Sequence, residues 1–427
     1  MIAKGNPKTM KAWTYYDWAN SVYSLVITTA IFPLYYEASV PNPVSFMGRE
    51  FVNTALINYA GSFGFLLVCI MVPILSGIAD YSDSKRKFLS FFCTLGSISC
   101  AGLYFFDPLN PGLGILFYIL ALIGFWGGLV FYNAYLPLIA PPEMHDKLSA
   151  RGFVMGYIGS AILLIICLLM YFQNSELLKF SFVLTGIWWF GFAQITLRKL
   201  PASDRPSAYH PDLLTRGFKE LRSVWRQLKA TKRLRRYLQS FFVYSMGVQT
   251  VMLVAVYFGT KEIAWSSDDE KTTGLILSVL IIQFIAIPGA YLMAWLSGKW
   301  GNIKTLILAN VLWALICVSA LTLHEPIEFY IVAGFVGFVM GGIQSLSRST
   351  YAKYIPVTID TASFFSFYEV SEKLGIVLGL FFFAVLEEMG NMRTSLLALI
   401  VFFIAGIFLL SRVPKHETIA QAHTSAP

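Results

Sequence analysis

Apolar runs long enough to cross a bilayer follow one another along this chain with almost nothing long and polar between them, and that recurrence limits the folds open to it. About 20 apolar residues cross about 30 Å of hydrocarbon as a helix. Twelve such runs are expected, near 18–38, 56–79, 88–106, 112–136, 152–172, 180–197, 238–259, 272–297, 303–322, 328–349, 364–386 and 394–411. With 56% of 427 residues hydrophobic and 13% charged, a soluble domain could not bury what this chain carries. The expected class is therefore an all-α integral membrane protein. The first run opens with Asp17 and Asn20, lacks a small-residue cleavage site and exceeds the apolar core of a signal peptide, so it is expected to stay in the mature protein.

Lys and Arg are retained on the cytoplasmic side of short loops. With the N-terminus inside, the outer loops hold only Arg49, Lys179, Lys261, Lys271 and Arg393, so both termini are expected to be cytoplasmic. The net charge of +8 is then a topology signal, and no nucleic acid partner is expected. All five cysteines fall inside the runs, where a thiol packs as a small hydrophobe, and neither a disulfide nor a metal site is expected. No Gly-rich phosphate loop ends in Lys-Ser or Lys-Thr, and no Ser, His and acid set can be assembled in the runs. Neither a cofactor nor an enzymatic activity is expected.

One long polar segment divides the runs six and six. The expected domains are an N-terminal six-helix bundle at 1–198, a basic cytoplasmic linker at 199–237, a C-terminal six-helix bundle at 238–412 and a cytoplasmic tail at 413–427. Within the linker, Phe218, Leu221, Trp225 and Leu228 recur at helical spacing among Lys and Arg. That pattern fits either a helix lying on an anionic membrane surface or a solvated connector. GGLVFYNAYLPLIAPP (127–142) and GGIQSLSRSTYAKYIP (341–356) align their Gly pair and final Pro at one offset, as in parallel six-helix repeats that hold substrate between them near mid-membrane.

The segment FSFYEVSEKLGIVLGLFFF (365–383) has lipid length yet contains Glu369, Glu372 and Lys373. The acid precedes the base by four residues, so the charges share one helix face. Gly375 and Gly379 continue near that face, where small residues admit a neighbouring helix. Gln344, Ser347, Arg348 and Tyr351 make a second stripe, with Gly337 and Gly341 above it, and Asp17, Asn20, Ser21, Ser24 and Thr28 a third. Asp17, Arg348, Glu369, Glu372 and Lys373 are expected at one depth in the cytoplasmic part of their helices. An isolated charge at the bilayer centre costs about 2.5–3.5 kcal/mol or more, so pairing or water is required. The expectation is an ion-pair network closing the cytoplasmic side; the alternative is that these charges only fix helix packing or reach to the headgroups. Glu369 or Glu372 beside Lys373 either exchanges a proton as its surroundings change or stays ionised throughout. Tyr35, Tyr36, Trp188 and Trp189, near the ends of runs, are expected as interfacial anchors.

The turn SGIADYSDSKRK (76–87) resembles the major facilitator loop signature through Gly77, Asp80, Lys85, Arg86 and Lys87, with Asp83 and Ser84 where Gly and Arg are usual. A second copy at 298–304 lacks the acid. YDWANSVYSLVITTAIFPLYY, FYNAYLP, GYIGSA, GVQT and GGIQSLSRS, spread from Trp13 to Arg412, resemble the vacuolar amino-acid effluxer-like, autophagy-related branch of that superfamily. Members often carry Asn-Asp before the Gly of the seventh helix; here Ser245 and Met246 precede Gly247. The resemblance implies the major facilitator fold, with twelve transmembrane helices in two six-helix bundles, and a secondary transporter working by alternating access. It implies amino acids as substrate, Asp80 as a gate residue, and a cavity lined by helices 1, 4, 7 and 10. Asn20, Tyr23, Tyr132, Asn133, Gln249 and Gln344 are the candidate substrate contacts. The expected partners are a small-molecule substrate, membrane lipids and protons as coupling ion, and the expected form is a monomer in a bacterial inner membrane. Two other readings stay open at this point: a carrier of lipids or amphipathic compounds, and a non-transporting receptor or scaffold of the same fold.

Overall fold

A computed structural model of the chain describes residues 4–202 and 213–416. The Pro-containing part of the expected linker at 203–212 and the tail beyond residue 416 lie outside the described residues. Helix α1 (Pro7–Val22) starts at Asn6, whose side chain accepts the Lys8 amide at 2.9 Å, with Pro7 supplying a preformed first turn. It runs through an eight-residue π-helical segment, Tyr23–Ala30, into α2 (Ile31–Ser39). A hairpin of β1 (Val44–Phe46) and β2 (Arg49–Phe51) leads to α3 (Asn53–Tyr81), α4 (Lys85–Gly102), α5 (Gly112–Ala134), the single turn α6 (Leu136–Ile139), α7 (His145–Gln173) and α8 (Phe180–Lys199). The remainder comprises α9 (Leu213–Ala230), α10 (Lys232–Glu262), α11 (Asp268–Trp300), α12 (Asn302–Ala320), α13 (Pro326–Tyr354), α14 (Thr361–Met389) and α15 (Met392–Ser411).

Among the described residues, 10 helices are long and apolar enough to cross a membrane, against the twelve expected. The first and eleventh expected runs fall outside that set, for two different reasons. The π-helical segment divides the first into α-helical pieces of 16 and 9 residues. The eleventh, α14, carries Glu369, Glu372, Lys373, Glu387 and Glu388. The π segment also corrects the first polar stripe. The Ile31 amide bonds the Val26 carbonyl and the Thr29 hydroxyl bonds the Ser24 carbonyl, each reaching five residues back, so the 3.6-residue spacing stops at Tyr23.

Helix neighbours repeat between the two sets of helices. α1 packs on α7 and α8 as α10 packs on α14 and α15; α4 joins α5 and α8 as α12 joins α13 and α15; α3 meets α5 as α11 meets α13. The sets meet through α7 against α11 and α14 against α3. Close approach requires missing side chains: a Cβ at Gly289 would lie 2.0 Å from the Phe338 carbonyl oxygen, and one at Gly341 would lie 2.2 Å from that of Ala286. The face of the bundle where α1 begins and α15 ends is called the terminal face below.

Three expectations change here. The basic segment after Phe218 is two helices, because Thr231 turns extended between α9 and α10, and Lys232 to Arg236 belong to the first turns of α10. In α9 the four expected apolar positions divide: Leu228 is buried with Gly217 and Val224, whereas Phe218 and Trp225 are exposed. Tyr35, Tyr36 and Trp189 are buried and do not act as interfacial anchors; Trp189 fills the space left by Gly96 and meets the ring of Tyr23.

α9 docks where α3 ends, with Gly217 against Gly77 and Ile78, and Trp225 packs on Phe367 of α14. Glu220 faces Asp360, which precedes the first turn of α14. Burial first, and then the charge of Asp360, push the Glu220 carboxyl up to about 6. An acid raised in the folded state supports docking below its ordinary value of 4.5 and withdraws that support as pH rises through about 6. Protection of the amides in 213–230, taken relative to the base-catalysed rate of an unstructured chain at each pH, should therefore fall across that window, and Glu220→Gln should remove the fall; an equally steep loss of protection in the variant would refute it. Gly289→Leu should cost at least about 1–3 kcal/mol by overpacking. An unchanged thermal midpoint in detergent would contradict the α11–α13 contact.

Candidate substrate and gate site

Arg348 of α13 is 3% exposed inside a bundle of lipid-length helices, so every donor of its guanidinium needs an acceptor. Nε donates to the Ser149 hydroxyl at 2.9 Å and Nη2 to the Ser149 carbonyl at 3.0 Å, both on α7. Nη2 also donates to Asp17 Oδ2 of α1 at 3.1 Å, and Nη1 to Asn133 Oδ1 of α5 at 3.3 Å. The rings of Trp13 and Phe153 lie 4.8 and 4.3 Å from its central carbon, adding cation–π attraction. Gly152 opens the seat: a Cβ there would lie 2.3 Å from Asp17 Oδ2 and 2.9 Å from Arg348 Nη2.

From that pair the polar contacts continue without a break. Tyr132 donates to Asp17 Oδ2 at 2.7 Å, and Asn133, while accepting from Arg348, donates to Glu369 Oε1 at 2.9 Å. Lys373, 1% exposed, bridges Glu369 at 2.7 Å and Glu372 at 2.6 Å, with its ammonium 3.4 Å from the centre of the Trp126 ring. Gln249 of α10 donates to Glu372 Oε1 at 2.8 Å. One network thus joins α1, α5 and α7 to α10, α13 and α14. Its five charged members are those whose spacing places them at one depth.

The remaining candidates are placed differently. Gln344 accepts from Tyr157 of α7 at 3.0 Å and approaches Met252 of α10, beside the network. Asn20 is buried with its side-chain nitrogen unpartnered. Tyr132 and Asn133 are occupied by the network. Tyr23 lies apart from it, its ring between Phe125 and Trp189 in the interior of the first set of helices.

Asp80 forms a second contact between the two sets. It is buried, pairs with Lys85 at 2.7 Å, and accepts the amides of Ala362 at 3.2 Å and Ser363 at 2.6 Å in the first turn of α14, where a helix leaves its amides unpaired and favours negative charge. Asp83 takes φ 48, the left-handed conformation that makes Gly usual at this turn. A third contact was not anticipated. Asp146, in the first turn of α7, pairs with Lys353 at 2.5 Å and accepts from Ser349, Ser297 and Asn302 at 2.7–2.8 Å. Ser297 and Asn302 flank the turn between α11 and α12, which is the copy of the signature that lacks an acid. The acid comes instead from the opposite set of helices, which no search within one copy would find. Ser149, Gly152 and Trp126 carry no signal in the sequence, because a lone Ser, Gly or Trp in or beside an apolar run has no periodicity. Among the described residues, the polar bonds joining the two sets all fall between the Tyr157–Gln344 pair and the terminal face.

Comparison with known proteins agrees with this architecture. The profile of the family described as "Vacuole effluxer Atg22 like" matches residues 5–146 and 141–423. The chain is 31% identical over 421 residues to the "Uncharacterized MFS-type transporter YxiO" of Bacillus subtilis (strain 168), covering 96% of each chain. It is 24% identical to "Autophagy-related protein 22-1" of Penicillium rubens, over 89% of this chain and 78% of that one. Solved structures of the human organic anion transporter MFSD10 and of the major facilitator transporter FucP in its outward conformation share the fold, with TM-scores of 0.70 and 0.67 at 14% identity, over 95% and 96% of this chain and 100% and 99% of theirs. The protein is a multi-pass membrane transporter and not an enzyme, and the chain belongs to the vacuole effluxer Atg22-like family of the major facilitator superfamily.

Proposed function

We propose that the protein is a secondary transporter that moves a small polar or zwitterionic solute, amino acids foremost, by alternating access between two six-helix bundles at 1–198 and 238–412. The observation that carries this reading is the Arg348 network. It ties both bundles together near the terminal face, as a closed gate on that side requires, and it is built of charges that gain water when the bundles part. The contacts of Asp80 and Asp146 fit the same closed state. α1 with its π segment and α2, and α14, serve as the first and eleventh spans and complete the twelve, their stripes facing this shared polar interior. The terminal face is taken as cytoplasmic from the distribution of Lys and Arg, and the working unit as a monomer in a bacterial inner membrane.

Substrate contacts are assigned to Gln249, Gln344 and the unpartnered amide of Asn20. The network holds three carboxylates, Asp17, Glu369 and Glu372, against two cations, Arg348 and Lys373. One negative charge is therefore in excess, and Glu372, the most exposed of the three carboxylates, is its accessible member. A proton or the ammonium of a zwitterion supplies the missing positive charge, which links coupling to substrate binding. The family description names an effluxer and no solute; amino acids are favoured through the resemblance of the sequence to the amino-acid effluxer-like branch.

Counterflow of labelled amino acids into proteoliposomes tests the proposal, after a thermal-shift screen has chosen the substrate, since ligands of the folded state raise its apparent stability. Arg348→Gln and Glu372→Gln should abolish exchange while the protein remains inserted and monodisperse; wild-type exchange in both would remove the gate. Gly152→Ala, which touches neither charge chemically, should displace the Asp17–Arg348 pair and lower exchange at least tenfold. Full exchange in that variant would show that the close seat is not needed.

A further inference from the structure

Helix α9 is docked through one face and unequal on its two flanks. Gly217, Leu221, Val224 and Leu228 recur at helical spacing on the docked face, with Val224 and Leu228 buried. To one side of it, Phe218, Arg222, Trp225, Arg226 and Lys229 form a stripe with no acid. Phe218 and Trp225 are 53% and 42% exposed, and the Lys229 ammonium lies 4.8 Å from the Trp225 ring. To the other side lie Glu220, the one acid of the helix, with Arg216 one turn before it, and the neutral Ser223 and Gln227, so that side carries no excess of charge while the first carries three cations.

Contacts with α14 tell which flank faces the membrane. Glu220 meets Asp360, which precedes α14 at the terminal face. The Trp225 ring packs, tilted, 5.3 Å from that of Phe367, six residues inside α14 and therefore about 9 Å deeper along that helix. The flank of Glu220 looks away from the bilayer, and the basic, aromatic flank looks into its headgroup layer. Exposed Trp and Phe among Arg and Lys at that level match a surface that is apolar below and negative above.

We propose that this flank of α9 binds the headgroups of anionic phospholipids in the leaflet at the terminal face, and that lipid seated there holds α9 against α3 and α14. The consequence reaches the gate, because Gly217 packs on Gly77, three residues before Asp80, and Trp225 packs on α14 a turn beyond the amides that Asp80 accepts. Bilayer charge thereby favours the state closed at the terminal face. The inference does not depend on which solute is carried.

The full chain in nanodiscs of phosphatidylcholine, with and without one third phosphatidylglycerol, tests it by amide hydrogen exchange of 213–230. Phosphatidylglycerol should slow exchange several-fold, high salt should reverse the slowing, and the triple variant Arg222→Gln, Arg226→Gln, Lys229→Gln should show none of it. The same variant in phosphatidylcholine alone should exchange like wild type, because these side chains are exposed. Equal exchange in the two kinds of disc overturns the proposal, as does full protection in a folded variant. If the variant does not fold, the wild-type salt titration decides, and protection that survives high salt overturns it. Inorganic polyphosphate added to phosphatidylcholine discs should give no comparable slowing; if it does, the flank is a site for a soluble polyanion and the lipid assignment fails.

Discussion

A guanidinium that is 3% exposed among membrane helices sets the terms for everything around it. Arg348 cannot lose its proton, so it must be paired, and the acceptors reach it from three other helices. Asp17 arrives on α1, Asn133 on α5 and Ser149 on α7. Each arrival explains a sequence choice nearby. Gly152 exists as Gly because the ion pair occupies the space of its side chain, and Gly156 lets Ser21 of the same helix as Asp17 approach α7. Leaving a buried charge without its partner costs about 3–5 kcal/mol, whereas the pair itself adds little to stability. Such an interaction suits a contact that must be made and broken, because hydration in an opened cavity replaces what pairing supplied.

The other two contacts between the halves follow a related logic with an exchange of roles. Asp80 comes from the last turn of α3 and caps α14; Asp146 comes from the first turn of α7 and collects the hydroxyls, amide and ammonium gathered around the turn between α11 and α12. α3 against α14 and α11 against α7 are equivalent pairs in the repeated packing. The acid therefore sits on opposite partners at equivalent places. Both contacts lie near the terminal face, so the proposed gate would have to part all three together.

Much of the fold is legible in the sequence because lipid imposes one length and one polarity on every span. The apolar runs place most helices to within a few residues, but polar first turns escape them: α1 begins at Pro7, α7 at His145 and α10 at Lys232, each well before its run, because a hydropathy window discounts charged and polar residues. The charged part of the site is legible for the same reason, since a charge in a lipid-length run has to face inward. What escapes is whatever periodicity cannot carry. The π-helical turn of Tyr23–Ala30 alters the spacing on which the stripe from Asp17 to Thr28 was built. Tyr23 and Trp189 face one another across the bundle because Gly96 leaves room, which involves three helices at once. Asp146 lies between two runs, where an acid is unremarkable until Lys353 and Asn302 are seen beside it.

The central claim is that ionic contacts around Arg348 hold the two halves together at the terminal face. Spin labels at Lys87 on α4 and Lys299 on α11, exposed at that face on opposite halves, report their separation by double electron–electron resonance in lipid nanodiscs. The account predicts a short-distance population in the wild-type background and a second, longer one when Arg348→Gln is introduced. An unchanged distance distribution in a folded variant would contradict it.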